Sequence, residues 1–272
     1  MWLLILDRTT LNSESHLSEV NRKALIDAIN NGVHVCIASG RAFDTLPEDV
    51  ISVPGIEYAI TSNGAAIYRI AGKECLKSYL LTPSSVKTIL DLTANDTVTY
   101  EAFIKGQAFA STEYIRHPEK YGATEHSLAY VKKTRLLKDD IKGFILEHCH
   151  ELDSLDIVVG DEELKKDIMD RIRKATDEVY MTSSISQLLE ISYKDAGKKS
   201  GVKFLTEYLG LSRENVAAFG DADNDTDMIE YAGVGIAMEN AAPHLKQIAD
   251  HVTLHHDKDG VAYAFRNILN IC

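Results

Sequence analysis

The sequence has few cysteines and no hydrophobic run long enough to span a membrane. Its four cysteines, Cys36, Cys75, Cys149 and Cys272, lie far apart and form no CxxC pair. This spacing excludes a zinc cluster and a small disulfide scaffold, and it favours reduced thiols in a cytoplasmic protein. The apolar start at residues 2–6 is shorter than a signal-peptide core. No stretch approaches the roughly 20 apolar residues of a transmembrane helix, so we expect no membrane segment.

Basic residues are also in short supply relative to acidic ones. The chain has 29 Lys and Arg against 41 Asp and Glu, for a net charge of −12. An acidic surface repels nucleic acid and anionic lipid, so we expect neither as a partner. A phosphorylated substrate would have to be held by a local cationic site. The oligomeric state is left open by the sequence.

The two ends of the 272-residue chain alternate apolar runs with helical patterns. Apolar runs at 2–6, 33–38 and 58–61 predict buried strands, and a helix is predicted between Ser18, as N-cap, and Gly32. Val20, Ala24, Leu25, Ala28 and Ile29 are predicted to form its apolar face. The same rhythm returns after residue 198, with helices at 199–208, 227–231 and 243–250 and strands at 216–219, 234–238 and 252–254. Alternating strands and helices predict an α/β fold with a parallel sheet and right-handed crossovers.

The middle of the chain has a different pattern. Helices there are mixed with short β segments at 97–103, 156–159 and 179–181. We therefore predict a core domain formed by residues 1–82 plus 192–272, and a separate α+β domain inserted at 83–191.

Four polar segments follow predicted strand ends in the α/β part. They are loop I at 5–9, loop II at 38–41, Lys198 before a helix, and the acidic loop at 220–225. Loops at the carboxyl ends of parallel strands converge on one edge of the sheet. The hydroxyl and N–H groups of loop II suit a phosphate, although such a segment is often a plain turn. Three carboxylates within five residues suit Mg²⁺, the alternative being a solvated acidic turn.

The order of these segments is more specific than any one of them. It resembles the haloacid dehalogenase-like phosphatase superfamily, and most closely its Cof-type subfamily with a type-II cap. The resemblance spans nearly the whole chain and is carried by IASGR (37–41), TSNGAAIY (61–68), LEI (189–191) followed by Lys198, GDADND (220–225), GIAMENA (235–241) and KDGVA (258–262). It implies a Rossmann-like core, a cap domain that sets substrate specificity, Mg²⁺ as cofactor and a small phosphorylated metabolite as substrate.

The resemblance also assigns roles to individual residues. Asp7 corresponds to the acid/base aspartate, whose backbone carbonyl binds Mg²⁺ in the family, and Asp221 corresponds to the metal-binding aspartate. Ser39 and Lys198 correspond to the groups that neutralise phosphoryl oxygens. The remaining expected positions are Thr9, Gly40, Arg41 and Asn63 for phosphate, and Asn224 and Asp225 for the metal.

Loop I departs from the family pattern, which reads D-x-D-G-T. With Thr9 aligned to the family threonine, Ile5 falls on the nucleophilic aspartate and Arg8 on the glycine. Isoleucine can neither attack phosphorus nor bind a cation. In a rival register Asp7 is the nucleophile, but this requires a two-residue deletion before the helix and places Leu11 where the family has threonine. We favour the first register.

Two functions therefore stay open. The chain is either a Mg²⁺-dependent phosphomonoester hydrolase, with attack by Asp7 or by water, or a pseudophosphatase that binds a phosphorylated ligand without turnover. Retention of Ser39, Lys198 and Asp221 argues against a purely structural remnant, because idle buried polar groups cost stability.

Other candidates carry less weight. We interpret His255 and His256 as part of a loop, because adjacent residues rarely face one ion. Tyr114, Arg116 and His117 in the inserted region are candidates for a substrate pocket.

Overall fold

The computed structural model describes residues 2–271, and for residues 2–5 and His126 it describes the backbone only. In this part of the chain the strands are β1 Trp2–Ile5, β2 Val35–Ala38, β3 Tyr58–Thr61, β4 Ala66–Arg69, β5 Glu74–Ser78, β6 Thr99–Ile104, β7 Gln107–Ser111, β8 Leu136–Lys138, β9 Leu152–Val158, β10 Val179–Thr182, β11 Leu188–Tyr193, β12 Ala217–Gly220, β13 Val234–Ala237 and β14 His251–Val252.

The α-helices of the same residues lie between these strands and after the last of them. They are α1 Glu19–Asn30, α2 Glu48–Ile51, α3 Pro83–Leu92, α4 Thr112–Arg116, α5 Glu125–Thr134, α6 Ile141–Glu147, α7 Glu162–Ala175, α8 Lys198–Tyr208, α9 Thr226–Tyr231, α10 Pro243–Ile248 and α11 Gly260–Asn267. Among the described residues, no helix has both the length and the apolar character needed to cross a bilayer.

The chain divides into two compact units. Residues 2–41, 46–77 and 197–271 form unit 1, and residues 42–45 and 78–196 form unit 2. The unit boundaries fall within five residues of the predicted domain boundaries at 82/83 and 191/192.

Unit 1 is built on an eight-stranded sheet with the order β14-β13-β12-β1-β2-β3-β4-β5. The strands from β14 to β3 pair in parallel, and β3 pairs with β4 in antiparallel fashion. The predicted α/β fold with a parallel sheet is therefore confirmed. Strands β4 and β5 were not predicted, because the segment after residue 61 was treated only as a motif.

Helix α1 illustrates how local sequence sets these elements. The Ser18 side chain accepts a hydrogen bond from the Asn21 amide at the helix start, as expected of an N-cap. Ala24, Leu25 and Ala28 are buried, but Val20 is 43% exposed. The prediction that Val20 lies on the apolar face was wrong: in the first turn the buried side chain is that of the next residue, Asn21.

Unit 2 is an α+β unit with a six-stranded sheet of order β10-β11-β9-β6-β7-β8. One sheet face carries apolar side chains from β6, β9 and β11 and packs in a hydrophobic cluster with residues of α3, α6 and α7. Because side chains alternate along a strand, the opposite face carries Glu101, Asp156 and Glu190, which are paired across three neighbouring strands. All three acidic residues are buried.

Candidate functional site

The parallel sheet of unit 1 brings loops I and II and the acidic loop to one edge. Strand β1 lies between β12 and β2, and Ile5, its last residue, pairs with Ala38 at the end of β2. Strand β12 ends at Gly220, directly before Asp221. The carboxyl ends of these three neighbouring strands therefore place the predicted functional loops next to one another.

A buried ion pair anchors the acidic loop. Lys198 and Asp225 are 1% and 0% exposed, and Lys198 Nζ lies 2.5 Å from Asp225 Oδ1. The second oxygen, Oδ2, accepts hydrogen bonds from the backbone N–H groups of Asp221 and Ala222 at 2.9 and 3.0 Å. A Cβ atom on Gly220 would lie 2.6 Å from the Asp225 Cβ, so the strand end must be glycine for this carboxylate to fold back. Asp225 thus positions both Lys198 and the loop.

Asp221 is buried, and within residues 2–271 no basic side chain pairs with its carboxylate within 4 Å. Its Oδ1 accepts a hydrogen bond from the Thr9 hydroxyl at 2.9 Å. Burial, followed by the negative charge of Asp225, raises the pKa of Asp221 to about 7. The carboxylate form is therefore under-compensated, as expected of a group that faces a cation or a cationic side chain.

Loop II and the turn after β3 are joined by backbone and side-chain hydrogen bonds. The Ser39 hydroxyl accepts from the Arg41 N–H at 3.1 Å, and the Ser39 carbonyl accepts from the Asn63 N–H at 3.1 Å. Asn63 Oδ1 in turn accepts from Asn224 Nδ2 at 2.9 Å. Gly40 lies between Ser39 and Arg41, partly exposed. Loop II is therefore tied through Asn63 to the acidic loop.

A close backbone contact fixes the start of α8. Asn63 and Gly64 adopt left-handed φ angles of +52° and +92°. A Cβ atom on Gly64 would lie 2.0 Å from the Gly197 carbonyl oxygen, so only glycine fits there. Lys198 is the first residue of α8, one residue earlier than the predicted helix start. The turn after β3 thus sets the position of Lys198.

Asp7 is engaged in an ion pair with Arg41. Its carboxylate accepts hydrogen bonds from Arg41 Nε at 2.8 Å and from the Arg41 terminal Nη2, and its side chain is 49% exposed. The pair joins loop I to loop II. It also occupies both oxygens of the only carboxylate in loop I.

Arg8 adopts a backbone conformation that favours glycine. Its φ is +55°, and its carbonyl accepts a hydrogen bond from Asn240 Nδ2 at 2.8 Å. The family pattern has glycine at this position, and the observed φ supplies the physical reason. The Ile5 backbone ends β1 two residues before Asp7, and the Ile5 side chain lies outside the described atoms.

Seven of the predicted site residues are therefore brought together in unit 1: Thr9, Ser39, Asn63, Lys198, Asp221, Asn224 and Asp225. Asp7 and Arg41 pair with each other, and the Arg41 N–H connects this pair to Ser39. Asn240 was missed as a functional candidate, although it lies within the quoted GIAMENA segment. It joins loop I to the turn at 256–258, because its Oδ1 accepts from the His256 N–H at 3.1 Å.

The weaker candidates have other surroundings within their own units. In unit 2, Tyr114 is buried in a small apolar cluster, whereas Arg116 and His117 are exposed. Ligand atoms of His255, His256 and Asp257 lie within 4.8 Å of one another. The two imidazole rings stack with centroids 4.3 Å apart, so their in-plane lone pairs converge poorly on one ion.

The acidic loop offers Mg²⁺ few protein ligands, which is compatible with how this ion is usually bound. Mg²⁺ is usually held by one or two carboxylates, with water and substrate phosphate completing the octahedron. Asp221 is a buried carboxylate whose pKa is raised, and both oxygens of Asp225 already accept hydrogen bonds. Asp221 is therefore the principal ionic ligand that these residues offer.

Comparison with known proteins identifies the family of this chain. Residues 4–265 match the family model described as haloacid dehalogenase-like hydrolase. The chain is 29% identical over 262 residues to a 5-amino-6-(5-phospho-D-ribitylamino)uracil phosphatase, YcsE, of Bacillus subtilis strain 168, covering 96% of this chain and 92% of that relative. It is 30% identical over 285 residues to the phosphatase YwpJ of the same organism, covering 97% and 98% of the two chains.

A solved structure extends this similarity to three dimensions. The haloacid dehalogenase-like hydrolase from B. subtilis superposes with a TM-score of 0.82 at 26% identity, covering 98% of this chain and 99% of that one. Since the family model also spans almost all of the sequence, the chain belongs to the haloacid dehalogenase-like hydrolase family.

Proposed function

We propose that this protein is a phosphatase that binds and hydrolyses a small phosphorylated metabolite at the carboxyl edge of the unit 1 sheet. Membership of the hydrolase family supports this, as do two relatives that are named phosphatases and match along nearly their whole length. The observation that carries the proposal is the network linking Ser39, Lys198 and Asp221, which are far apart in sequence.

Three side chains would have different roles in phosphoryl binding and transfer. The Lys198 ammonium and the Ser39 hydroxyl would neutralise and hydrogen-bond phosphoryl oxygens, as electrostatic stabilisation of phosphoryl transfer requires. Asp7 would hold or deliver the proton of the leaving oxygen once its ion pair with Arg41 opens. The overall reaction consumes water and releases an alcohol and inorganic phosphate.

Mg²⁺ belongs to the proposal as a family expectation. Asp221 would be its main ligand, with Asn224, Asp225 and the Asp7 backbone carbonyl as the other predicted ligands. When bound, the ion would supply positive charge against the phosphoryl oxygens. We further propose that residues 83–191 act as a cap domain that selects the substrate.

A cytoplasmic location stays a prediction. Cys36, Cys75 and Cys149 are free thiols, and Cys272 lies outside the described residues.

A second function, a pseudophosphatase that binds without turnover, is favoured by two observations in loop I. Ile5 ends β1 at the place where the family register puts the nucleophile. Asp7, the one carboxylate left in the loop, is held by Arg41 in a two-point ion pair. Loss of a nucleophile from a cooperating catalytic unit can lower kcat by about 10⁶-fold.

Turnover of p-nitrophenyl phosphate in the presence of Mg²⁺ distinguishes the two functions. We expect the wild type to hydrolyse the ester slowly, Asp7→Asn to abolish this, and Ile5→Asp to raise kcat by at least about 10²-fold. Asp27→Asn on α1, whose carboxylate pairs with the exposed Lys23, is the matched control and should behave as wild type. A silent wild type together with an active Ile5→Asp variant would assign the native protein as a binder.

A further inference from the structure

The two departures in loop I change the charge of the site in the same direction. Relative to the D-x-D-G-T pattern, Ile5 removes one negative charge and Arg8 adds one positive charge. Together they shift the local charge by two positive units, which is the charge that one Mg²⁺ ion brings. The two changes in loop I therefore add as much positive charge to the site as a bound Mg²⁺ ion would.

The backbone of Arg8 is held firmly on both sides. The preceding residue, Asp7, is paired with Arg41, and the following residue, Thr9, donates its hydroxyl to Asp221. Asn240 binds the Arg8 carbonyl itself. The guanidinium thus extends from a fixed point one residue away from the contact with Asp221.

Arg8 lies beside the acidic loop through its chain neighbour and its own backbone. The next residue, Thr9, donates its hydroxyl to Asp221 Oδ1 at 2.9 Å, and the Arg8 carbonyl accepts from Asn240 Nδ2 at 2.8 Å. The charge of Arg8 is therefore held next to the acidic loop.

Arg8 differs from the other two cations of the site in its partners. Lys198 is bound to Asp225, and Arg41 is bound to Asp7. Within residues 2–271, by contrast, no ion pair within 4 Å is found for the exposed Arg8 guanidinium. Since a guanidinium matches phosphate geometry with two parallel hydrogen bonds, Arg8 is suited to an incoming phosphate dianion.

We propose that this site binds a phosphate monoester or inorganic phosphate without a divalent cation, with Arg8 supplying the positive charge that Mg²⁺ supplies in the family pattern. This inference rests on the proposed function, because it assumes that phosphate binds beside Ser39 and Lys198. It concerns binding, and it applies to the hydrolase and to the pseudophosphatase alike.

Isothermal titration with inorganic phosphate, in EDTA and in excess Mg²⁺, tests the inference without any turnover. We expect the wild type to bind phosphate in EDTA, with a Kd no more than about tenfold weaker than in Mg²⁺. Arg8→Gln should weaken binding in EDTA by about tenfold or more, since a charge-assisted contact is lost. Arg8→Lys should recover part of that loss. Arg266→Gln, an exposed arginine on α11, is the matched control and should bind as wild type.

The possible failures are distinguishable. If the wild type binds phosphate only with Mg²⁺, or if Arg8→Gln binds as tightly as wild type in EDTA, the role of Arg8 is wrong while the phosphate site stands. If neither the wild type nor any variant binds phosphate in either medium, the proposed function itself fails. Circular dichroism of each variant confirms that the fold is retained.

Discussion

Buried carboxyl groups in this protein differ chiefly in their cationic partners. Asp225 has Lys198 at 2.5 Å and two backbone N–H donors. Asp221 has the Thr9 hydroxyl, and Asp153 in unit 2 has the Ser78 hydroxyl at 2.8 Å. Removing one partner of a buried ion pair costs about 3–5 kcal/mol, so Lys198 and Asp225 each depend on the other. A buried carboxyl without a cation instead shifts its pKa upwards.

Asp153 gives a pH dependence of stability that is separate from the candidate site. Burial raises its pKa to about 6 from the ordinary value of 3.8. Because the folded state then binds the proton more tightly than the unfolded state, this group favours folding below about pH 4. That contribution is lost as the pH rises towards 6.

Replacing Asp153 by Asn should therefore raise the free energy of unfolding at pH 7, by up to about 3 kcal/mol, and flatten its decline between pH 4 and pH 6. Urea unfolding across this range measures the effect. Asp177→Asn, which changes an exposed aspartate of the same unit, serves as the control. An Asp153→Asn variant with an unchanged pH profile would contradict the assignment.

The candidate site depends on contacts between secondary-structure elements that are distant in sequence, and local sequence patterns do not predict such contacts. The turn after β3 meets the start of α8 at Gly64 and Gly197, 133 positions further along the chain. Asn63 and Asn224 are 161 residues apart, yet they share a hydrogen bond. These contacts make the position of Lys198 depend on a turn in a different part of the sequence.

Gly64→Ala should lower the free energy of unfolding by about 2–4 kcal/mol, because its Cβ would overlap the Gly197 carbonyl oxygen and its φ is left-handed. Gly72→Ala is the matched control: its φ is +74°, but nothing lies within 4 Å of the added Cβ. The control should lose only about 1 kcal/mol, the conformational cost alone. Equal losses in the two variants, measured by urea unfolding, would show that the contact at Gly64 contributes nothing.

The sequence predicted the elements better than it predicted their contacts. Apolar periodicity located β1, β2 and β3 within two residues, and the placement of polar loops after predicted strand ends indicated the edge at which the loops meet. The pairing of Asp7 with Arg41 and the role of Asn240 could not be predicted, since both depend on side-chain directions set by the folded backbone. The acidic row of unit 2 was missed for the same reason: strand register decides which residues become neighbours.

At the scale of the whole molecule, the net charge of −12 opposes the binding of any phosphorylated ligand. Binding must therefore come from a small region where cations are concentrated. In the proposed function Arg8 would provide that charge in unit 1, because Arg41 and Lys198 are already paired with Asp7 and Asp225. Family membership accounts for the arrangement of the loops, and the altered loop I accounts for what this chain does differently.

The most direct test of this account is a two-dimensional ¹H–¹⁵N spectrum of the labelled protein, titrated with inorganic phosphate at constant ionic strength. The largest shift changes are predicted at the backbone amides of Ser39, Gly40 and Arg41, with smaller changes at Lys198. Titration with chloride at the same ionic strength should leave these amides unmoved. Phosphate-dependent changes confined to other parts of the chain, such as the turn at 256–258, would contradict the central claim that the carboxyl edge of the unit 1 sheet is the phosphate site.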